Sequence, residues 1–244
     1  AAIVVLGRTG ASSTNGGRTL AEGAGWEGDT TSHSRQIDKV QKQLLDYVLE
    51  QKNEGVFGNV IVIINDPIPL ELGYINEKAD AVLWIGAPGA TGFNAVGKIL
   101  SGEINPSGRL PDIYPVDMTK DPTYNNFGRN SLEPTETTAG GNQYTVGGQP
   151  VSAYFTDYEE GIYIGYRYYE TMAVEVADEN ANWYNENVVY PFGAGQSYSD
   201  FSWEIEDVRT IQGSAITGNE RVKVDVKVTN NGNYAGKDVV QLYY

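Results

Sequence analysis

Short apolar runs recur along the first part of the chain, and each is followed by residues at helical spacing. Ala2 to Leu6, Val60 to Ile64 and Ala81 to Ile85 are continuous apolar stretches of the buried-strand type. After the first, Ile37, Val40, Leu44, Leu45 and Val48 form one apolar face of a helix that Ser34 caps and that runs to about Glu54. Gly55 and Gly58 close it, and Leu70 to Asn76 gives a short helix after the second run. After the third run comes a loop with Gly86, Pro88, Gly89 and Gly92. Phe93, Val96, Ile99 and Leu100 then recur at helical spacing until Gly102 ends the helix. Strand and helix therefore alternate three times. That predicts an α/β fold: a doubly wound, mostly parallel sheet with flanking helices and right-handed crossovers.

Two stretches interrupt this rhythm. Residues 10–33 are rich in Gly, Ser and Thr and lack periodicity, so a long loop leaves the C-terminal end of the first strand, where α/β sheets bind ligands. Residues 115–157 carry few apolar side chains, with room for one hairpin. Tyr158 to Glu170 is aromatic and mostly alternating, as in a strand or a strand entering a helix. From about Ser202 the pattern becomes all-β. Val222, Val224, Val226 and Val228 alternate with Arg221, Lys223, Asp225 and Lys227, Asn231-Gly232 signals a turn, and Val239 to Tyr244 opens another strand. A β-sandwich needs roughly seven strands, and this stretch supplies fewer. The expected organisation is an α/β sandwich over 1–200 and the first strands of an incomplete β-sandwich over 201–244, in a chain cut from a larger protein at both ends. An unpaired apolar edge at Val239 to Tyr244 would promote dimerisation.

Three strings narrow the class. Residues 79–111 combine the third apolar run, Pro88-Gly89-Ala90-Thr91-Gly92, a helix and Asn105-Pro106-Ser107-Gly108-Arg109-Leu110-Pro111. This string resembles the C-terminal α/β domain of glycoside hydrolase family 3, the β-glucosidase group, where a strand, P-G-x-x-G, a helix and N-P-S-G-[RK]-L-P follow one another. Tyr158 to Glu170 resembles the family's Y-x-E-G-I-x-V-G-Y-R-Y-Y-[DE]. Pro191 to Tyr198 resembles P-F-G-x-G-L-S-Y, with Gln196 where Leu is usual. The residues after 202 resemble the opening of the fibronectin type III-like domain that follows in the family. The resemblance extends over nearly the whole chain except 10–33 and 131–150.

Charge and composition prune the alternatives. A net charge of −15 over 244 residues, with no basic patch, argues against nucleic acid and suits a neutral partner such as a sugar. No apolar run is long enough to span a bilayer, and Ala1 to Leu6 reads as a strand, not as a signal peptide. Cysteine is absent, which removes disulfides and thiolate metal sites. His33 is the single histidine, so neither a histidine metal cluster nor a His-based triad is expected, and a surface loop is its expected place. The Gly86 to Gly92 loop lacks G-x-G-x-x-G spacing and a Lys-Ser/Thr pair, which argues against a nucleotide; no cofactor is expected. Abundant Tyr, Trp, Asn and Thr favour an extracellular or cell-surface setting by association alone.

The resemblance also implies a site. Retaining glycosidases use two carboxyl groups about 5–5.5 Å apart. In the family the nucleophile is an Asp on a TIM barrel, for which this chain has no room, and the acid/base is a Glu in a G-E-G-x-D setting after a strand of the α/β domain. Glu22-Gly23-Ala24 matches E-G-x, but Ala21 replaces the first Gly and Gly25 the Asp; Glu27 competes. Trp26 would raise the pKa of a neighbouring carboxyl by desolvation. Arg8, at the strand end, could orient that carboxylate or a sugar hydroxyl. Glu159 and Glu160, neighbours in an extended segment, would point to opposite faces, and one of them could anchor the barrel interface. Arg167 among tyrosines reads as a buried, stacked structural residue. The implied function is the accessory half of a retaining β-glycosidase that releases terminal β-linked glucose from oligosaccharides or glucosides. The alternatives are a β-xylosidase fragment and a non-catalytic carbohydrate-binding or scaffold module, the latter favoured by Gly25.

Overall fold

The three apolar runs pair as strands of one parallel sheet. In chain order the elements are β1 (Ala2–Gly7), α1 (Lys39–Asn53), β2 (Val60–Asn65), α2 (Gly73–Asn76), β3 (Ala81–Trp84), α3 (Gly89–Leu100), β4 (Tyr114–Pro115) and α4 (Pro122–Asn126). They continue with β5 (Gln143–Val146), β6 (Gln149–Ser152), α5 (Tyr166–Glu175), α6 (Trp183–Asn187), β7 (Val188–Tyr190), β8 (Phe201–Thr210) and β9 (Val222–Asn230). The structure, a computed structural model, describes residues 1–7, 32–33, 35–126, 143–146, 149–152, 158–211 and 221–243. The chain divides into two compact units, Ala1–Pro88 with Pro111–Phe192, and Gly89–Leu110 with Gly193–Tyr244.

In the first unit the sheet order is β1-β2-β3, all parallel. The register sets Val4 beside Val62 and Leu6 beside Ile64, and all four are buried. Leu45 of α1 is fully buried, whereas Val40 and Leu44 are 64% and 48% exposed. The buried face is therefore rotated from the expected one: Leu45 is buried, and Gln41, Lys42, Val48, Leu49, Gln51 and Lys52 are the half-buried positions of the helix. The start of α1 also differs from expectation. Asp38, not Ser34, is the cap, because Asp38 and Gln41 make a reciprocal capping box: Gln41 N donates to Asp38 Oδ1 at 2.8 Å and Asp38 N to Gln41 Oε1 at 3.2 Å. Of the helix expected over Leu70 to Asn76, only Gly73–Asn76 is helical; Leu70 and Leu72 are buried ahead of it.

The rest of this unit is small antiparallel pairs and aromatic packing. β4 pairs with β7, and β5 with β6 in the hairpin expected between 115 and 157. Tyr158 to Ile164 is not the expected strand. Gly161 and Gly165 sit at φ 57° and 58°, a left-handed conformation that glycine adopts readily and that turns the chain before α5. The opposite-face argument for Glu159 and Glu160 loses its extended backbone. On α5, Tyr169 is buried with Ile113 and Val188, and Tyr166, Tyr168, Trp183 and Tyr184 pack around them. Arg167 is exposed, contrary to expectation, because two helical residues turn it about 200° from Tyr169.

In the second unit, β8 and β9 pair antiparallel from Phe201↔Asn230 to Thr210↔Val222, with an irregularity between Ile205 and Asp207. β9 is less buried than its alternation implies, with Val222 and Val228 both exposed. Val239 to Tyr243 forms no strand, since no described segment pairs with it. The Asn-Pro-Ser-Gly-Arg string has a structural task here. Asn105 Oδ1 accepts from Tyr198 N at 2.7 Å and Ser197 Oγ at 3.0 Å. Arg109 Nη2 donates to Asp238 at 2.6 Å, and Asp238 also accepts from Trp203 Nε1 at 2.9 Å. Gly232 must be glycine for space: a Cβ there would lie 2.6 Å from the Ser199 side chain.

Candidate functional site

All three sheet strands end on one edge, at Gly7, Asn65 and Trp84. The residue after β2, Asp66, begins a turn. Its Oδ1 accepts from Ile68 N at 2.9 Å, the local bond that makes Asp a turn former. Its Oδ2 accepts from Arg35 Nη1 at 3.3 Å, and its carbonyl from Trp84 Nε1 at 2.8 Å. Arg35 and Asp66 are both buried. Burial lowers the Arg35 guanidinium from its usual range, and the charge and hydrogen bond of Asp66 act against that shift. Arg35 Nε is buried and has no hydrogen-bond partner among the described residues.

Beside this pair, Glu71 gathers three donors: Met118 N at 2.7 Å and His33 Nε2 at 3.0 Å on Oε1, and Gln36 Nε2 at 2.7 Å on Oε2. The Glu71 amide donates to Arg35 O at 2.8 Å. His33, expected in a surface loop, is instead buried, because Glu71 supplies the partner that makes an interior imidazole tolerable. Two buried phenols belong to the same unit. Burial, reinforced by Asp112 and Asp66, pushes Tyr114 up to about 12. Burial, with the charge of Asp121 the next contributor and Tyr168, Asp117 and Glu71 following, also raises Tyr169, whose hydroxyl has no partner among the described residues.

Arg8, Glu22, Trp26 and Glu27 lie outside the described residues. Arg35, Asp66 and Glu71 escaped the sequence reading. The usable signal was a charged residue between apolar ones: Glu71 stands between Leu70 and Leu72, and Asp66 follows a strand directly. Among the described residues no group of three or more His, Asp or Glu could hold a metal ion, and no helix is long and apolar enough to cross a membrane.

The sheet edge, the turn at Asp66 and the strings at 79–111 and 158–166 fall within residues 1–166, which match the family model described as the glycosyl hydrolase family 3 C-terminal domain. The chain belongs to glycoside hydrolase family 3. Thermostable beta-glucosidase B of Acetivibrio thermocellus is 31% identical over 207 residues, covering 85% of this chain and 22% of that protein. A beta-glucosidase of Ruminococcus albus is 30% identical over 188 residues, covering 77% of this chain and 15% of that protein. The crystal structure of a beta-glucosidase from Paenibacillus barengoltzii superposes with a TM-score of 0.65 at 28% identity, over 96% of this chain and 20% of that one. The chain is thus a domain of the β-glucosidase family, a family of glycoside hydrolases, and spans about a fifth of the length of the relatives it matches. A parallel three-stranded sheet with helices, accompanied by antiparallel strands, is the form that family domain takes here.

Proposed function

We propose that this chain is the accessory half of a retaining β-glucosidase that removes terminal β-linked glucose from oligosaccharides or glucosides. The observation that carries the reading is the match to β-glucosidases over most of the chain together with the sheet edge at which β1 ends. In this reading the segment between Gly7 and Ser32 supplies the general acid/base, Glu22, with Glu27 as the competing carboxylate. Trp26 keeps water from it, and Arg8 orients it or a sugar hydroxyl. A TIM barrel elsewhere in the complete polypeptide supplies the nucleophile. The doubly wound α/β sandwich then spans 1–200, and 201–244 opens a fibronectin type III-like domain. Tyr158 and Ile162, 70% and 67% exposed, support the turn at 158–164 as a surface that the rest of the polypeptide covers. Leu242 and Tyr243, also exposed, support self-association of the isolated chain. An extracellular or cell-surface setting completes the reading.

The test is made in the complete enzyme. Glu22→Ala should slow substrates with poor leaving groups most, since general acid help is worth roughly 10²–10⁴-fold. Activated nitrophenyl glucosides should still form the glycosyl-enzyme, and added azide should then restore turnover. Azide rescue in Glu27→Ala with normal rates in Glu22→Ala would move the role to Glu27. Normal rates in both would place the acid/base outside this chain.

A further inference from the structure

The Asn231-Gly232 pair follows the last residue of β9, at one end of the β8–β9 ribbon, and its polar groups are held in place. Asn231 N donates to Asp200 O at 2.8 Å, and Asn231 Nδ2 to Ser202 Oγ at 3.1 Å. Gly232 N donates to Asn230 Oδ1 at 2.9 Å. Asn230 Nδ2 donates in turn to Tyr234 O at 2.8 Å. The turn packs on Ser199, which is buried; its Oγ donates to Tyr234 O at 2.7 Å and accepts from Tyr234 N at 3.0 Å. Asn230, Asn231 and Gly232 are themselves exposed, so water and hydroxide reach them.

An asparagine followed by glycine carries both an electrophile and a nucleophile. The Gly232 nitrogen, once hydroxide has taken its proton, can attack Asn231 Cγ, because glycine has no Cβ to obstruct the approach. The new C–N bond closes a five-membered succinimide, the Cγ–Nδ2 bond breaks, and the departing nitrogen takes a proton from water and leaves as ammonia. Water then opens the ring at either carbonyl and leaves Asp or isoaspartate at 231. Both ends of this reaction are restrained here, the proton of the nucleophile by Asn230 Oδ1 and the leaving amide by Ser202 Oγ. We infer that Asn231 is a latent site of succinimide formation and that Asn230 is the residue that keeps it latent. Conversion puts a new carboxylate beside Asp200. Isoaspartate also lengthens the main chain by one carbon where Gly232 meets Ser199, a place so close that a Cβ on Gly232 would lie 2.6 Å from that side chain. The Ser199–Tyr234 clasp is the contact that such a shift breaks. The inference stands apart from the glycosidase reading.

The test uses the 244-residue chain, incubated at mildly alkaline pH with and without urea. Peptide mapping by mass spectrometry follows residue 231 separately from Asn15-Gly16, the other Asn-Gly pair of the chain. In urea the two pairs should convert at similar rates, and in the folded chain Asn231 should convert more slowly than in urea. A hydrogen bond is worth about 2–10-fold in an equilibrium, so Asn230→Ala should speed conversion at 231 in the folded chain by about that factor. Asn230→Asp keeps an oxygen for Gly232 N and loses only the donor to Tyr234, so it should stay near the wild-type rate. Amide hydrogen exchange at Gly232 reads the bond directly: slow in the wild type and in Asn230→Asp, fast in Asn230→Ala. No conversion at 231 even in urea overturns the site. Equal rates for the folded and unfolded wild-type chain overturn the restraint. Equal rates in the two variants show that the Tyr234 contact or the fold as a whole protects Asn231, and overturn the role of the Asn230 acceptor. If Asn230→Ala does not fold by circular dichroism, Asn230→Asp decides alone: slow conversion with slow Gly232 exchange supports the acceptor, and fast conversion overturns it.

Discussion

His33 and Glu71, 38 residues apart in the chain, meet at 3.0 Å with both side chains buried. Each solves a problem for the other. An interior carboxylate needs donors and an interior imidazole needs a defined partner for each nitrogen. Their neighbours Arg35 and Asp66 form a second buried pair on the same sheet edge.

That second pair makes a stability prediction. Removing one partner of a buried ion pair strands the other, at about 3–5 kcal/mol, whereas replacing both with apolar residues can be close to neutral. Asp66→Leu and Arg35→Met should each lower the urea-unfolding free energy by amounts of that order, and the double variant by clearly less than their sum. Additive losses would show that the two side chains do not act as a pair.

Neighbouring leucines of α1 should behave differently. Leu45 is fully buried and Leu44 is 48% exposed. Leu45→Ala should cost about 2–5 kcal/mol, and Leu44→Ala about 0.5 kcal/mol or less. Thermal or urea unfolding of the two variants distinguishes the observed rotation of the helix from the one its apolar spacing implies.

The buried phenols predict an alkaline limb. Tyr114 is raised from 10.0 to about 12 in the folded chain, and Tyr169 is raised as well. A raised value means that the folded state holds the proton more tightly. The stability this contributes is complete below the unfolded value near 10 and is lost as pH rises through the folded values. Urea midpoints measured upward from about pH 9 should fall steeply above pH 10, and less steeply in Tyr114→Phe. Tyr169→Phe also removes a hydroxyl that has no partner among the described residues, so near neutral pH it should raise stability by about 1 kcal/mol. A loss there would reveal a hydrogen bond to that hydroxyl.

The isolated chain should not hydrolyse aryl β-glucosides. In the proposed mechanism the nucleophile belongs to another domain, and without it no glycosyl-enzyme forms. Sustained release of nitrophenol by the purified 244-residue chain would overturn the division of labour between the two halves.

Local patterns in the sequence determined the strands and the family. Val and Ile in unbroken runs have one economical arrangement, side by side in a parallel sheet, and β1, β2 and β3 follow those runs closely. The strings at 79–111 and 158–170 identify the family because their order of glycine, proline and aromatic residues is unusual. Long-range contact decided the rest. Helical spacing makes Leu44 and Leu45 equally apolar, but only packing chooses which one is buried. Alternation at Tyr158 to Ile164 reads as a strand until Gly161 and Gly165 adopt left-handed angles. His33 in a Ser-rich stretch reads as solvated, because nothing local announces Glu71. Arg35 and Asp66, 31 residues apart, become a buried pair only when the end of β2 is set against the chain that leads into α1. A polar residue is buried when a partner arrives from elsewhere in the fold, and the sequence around that residue carries no record of the arrival.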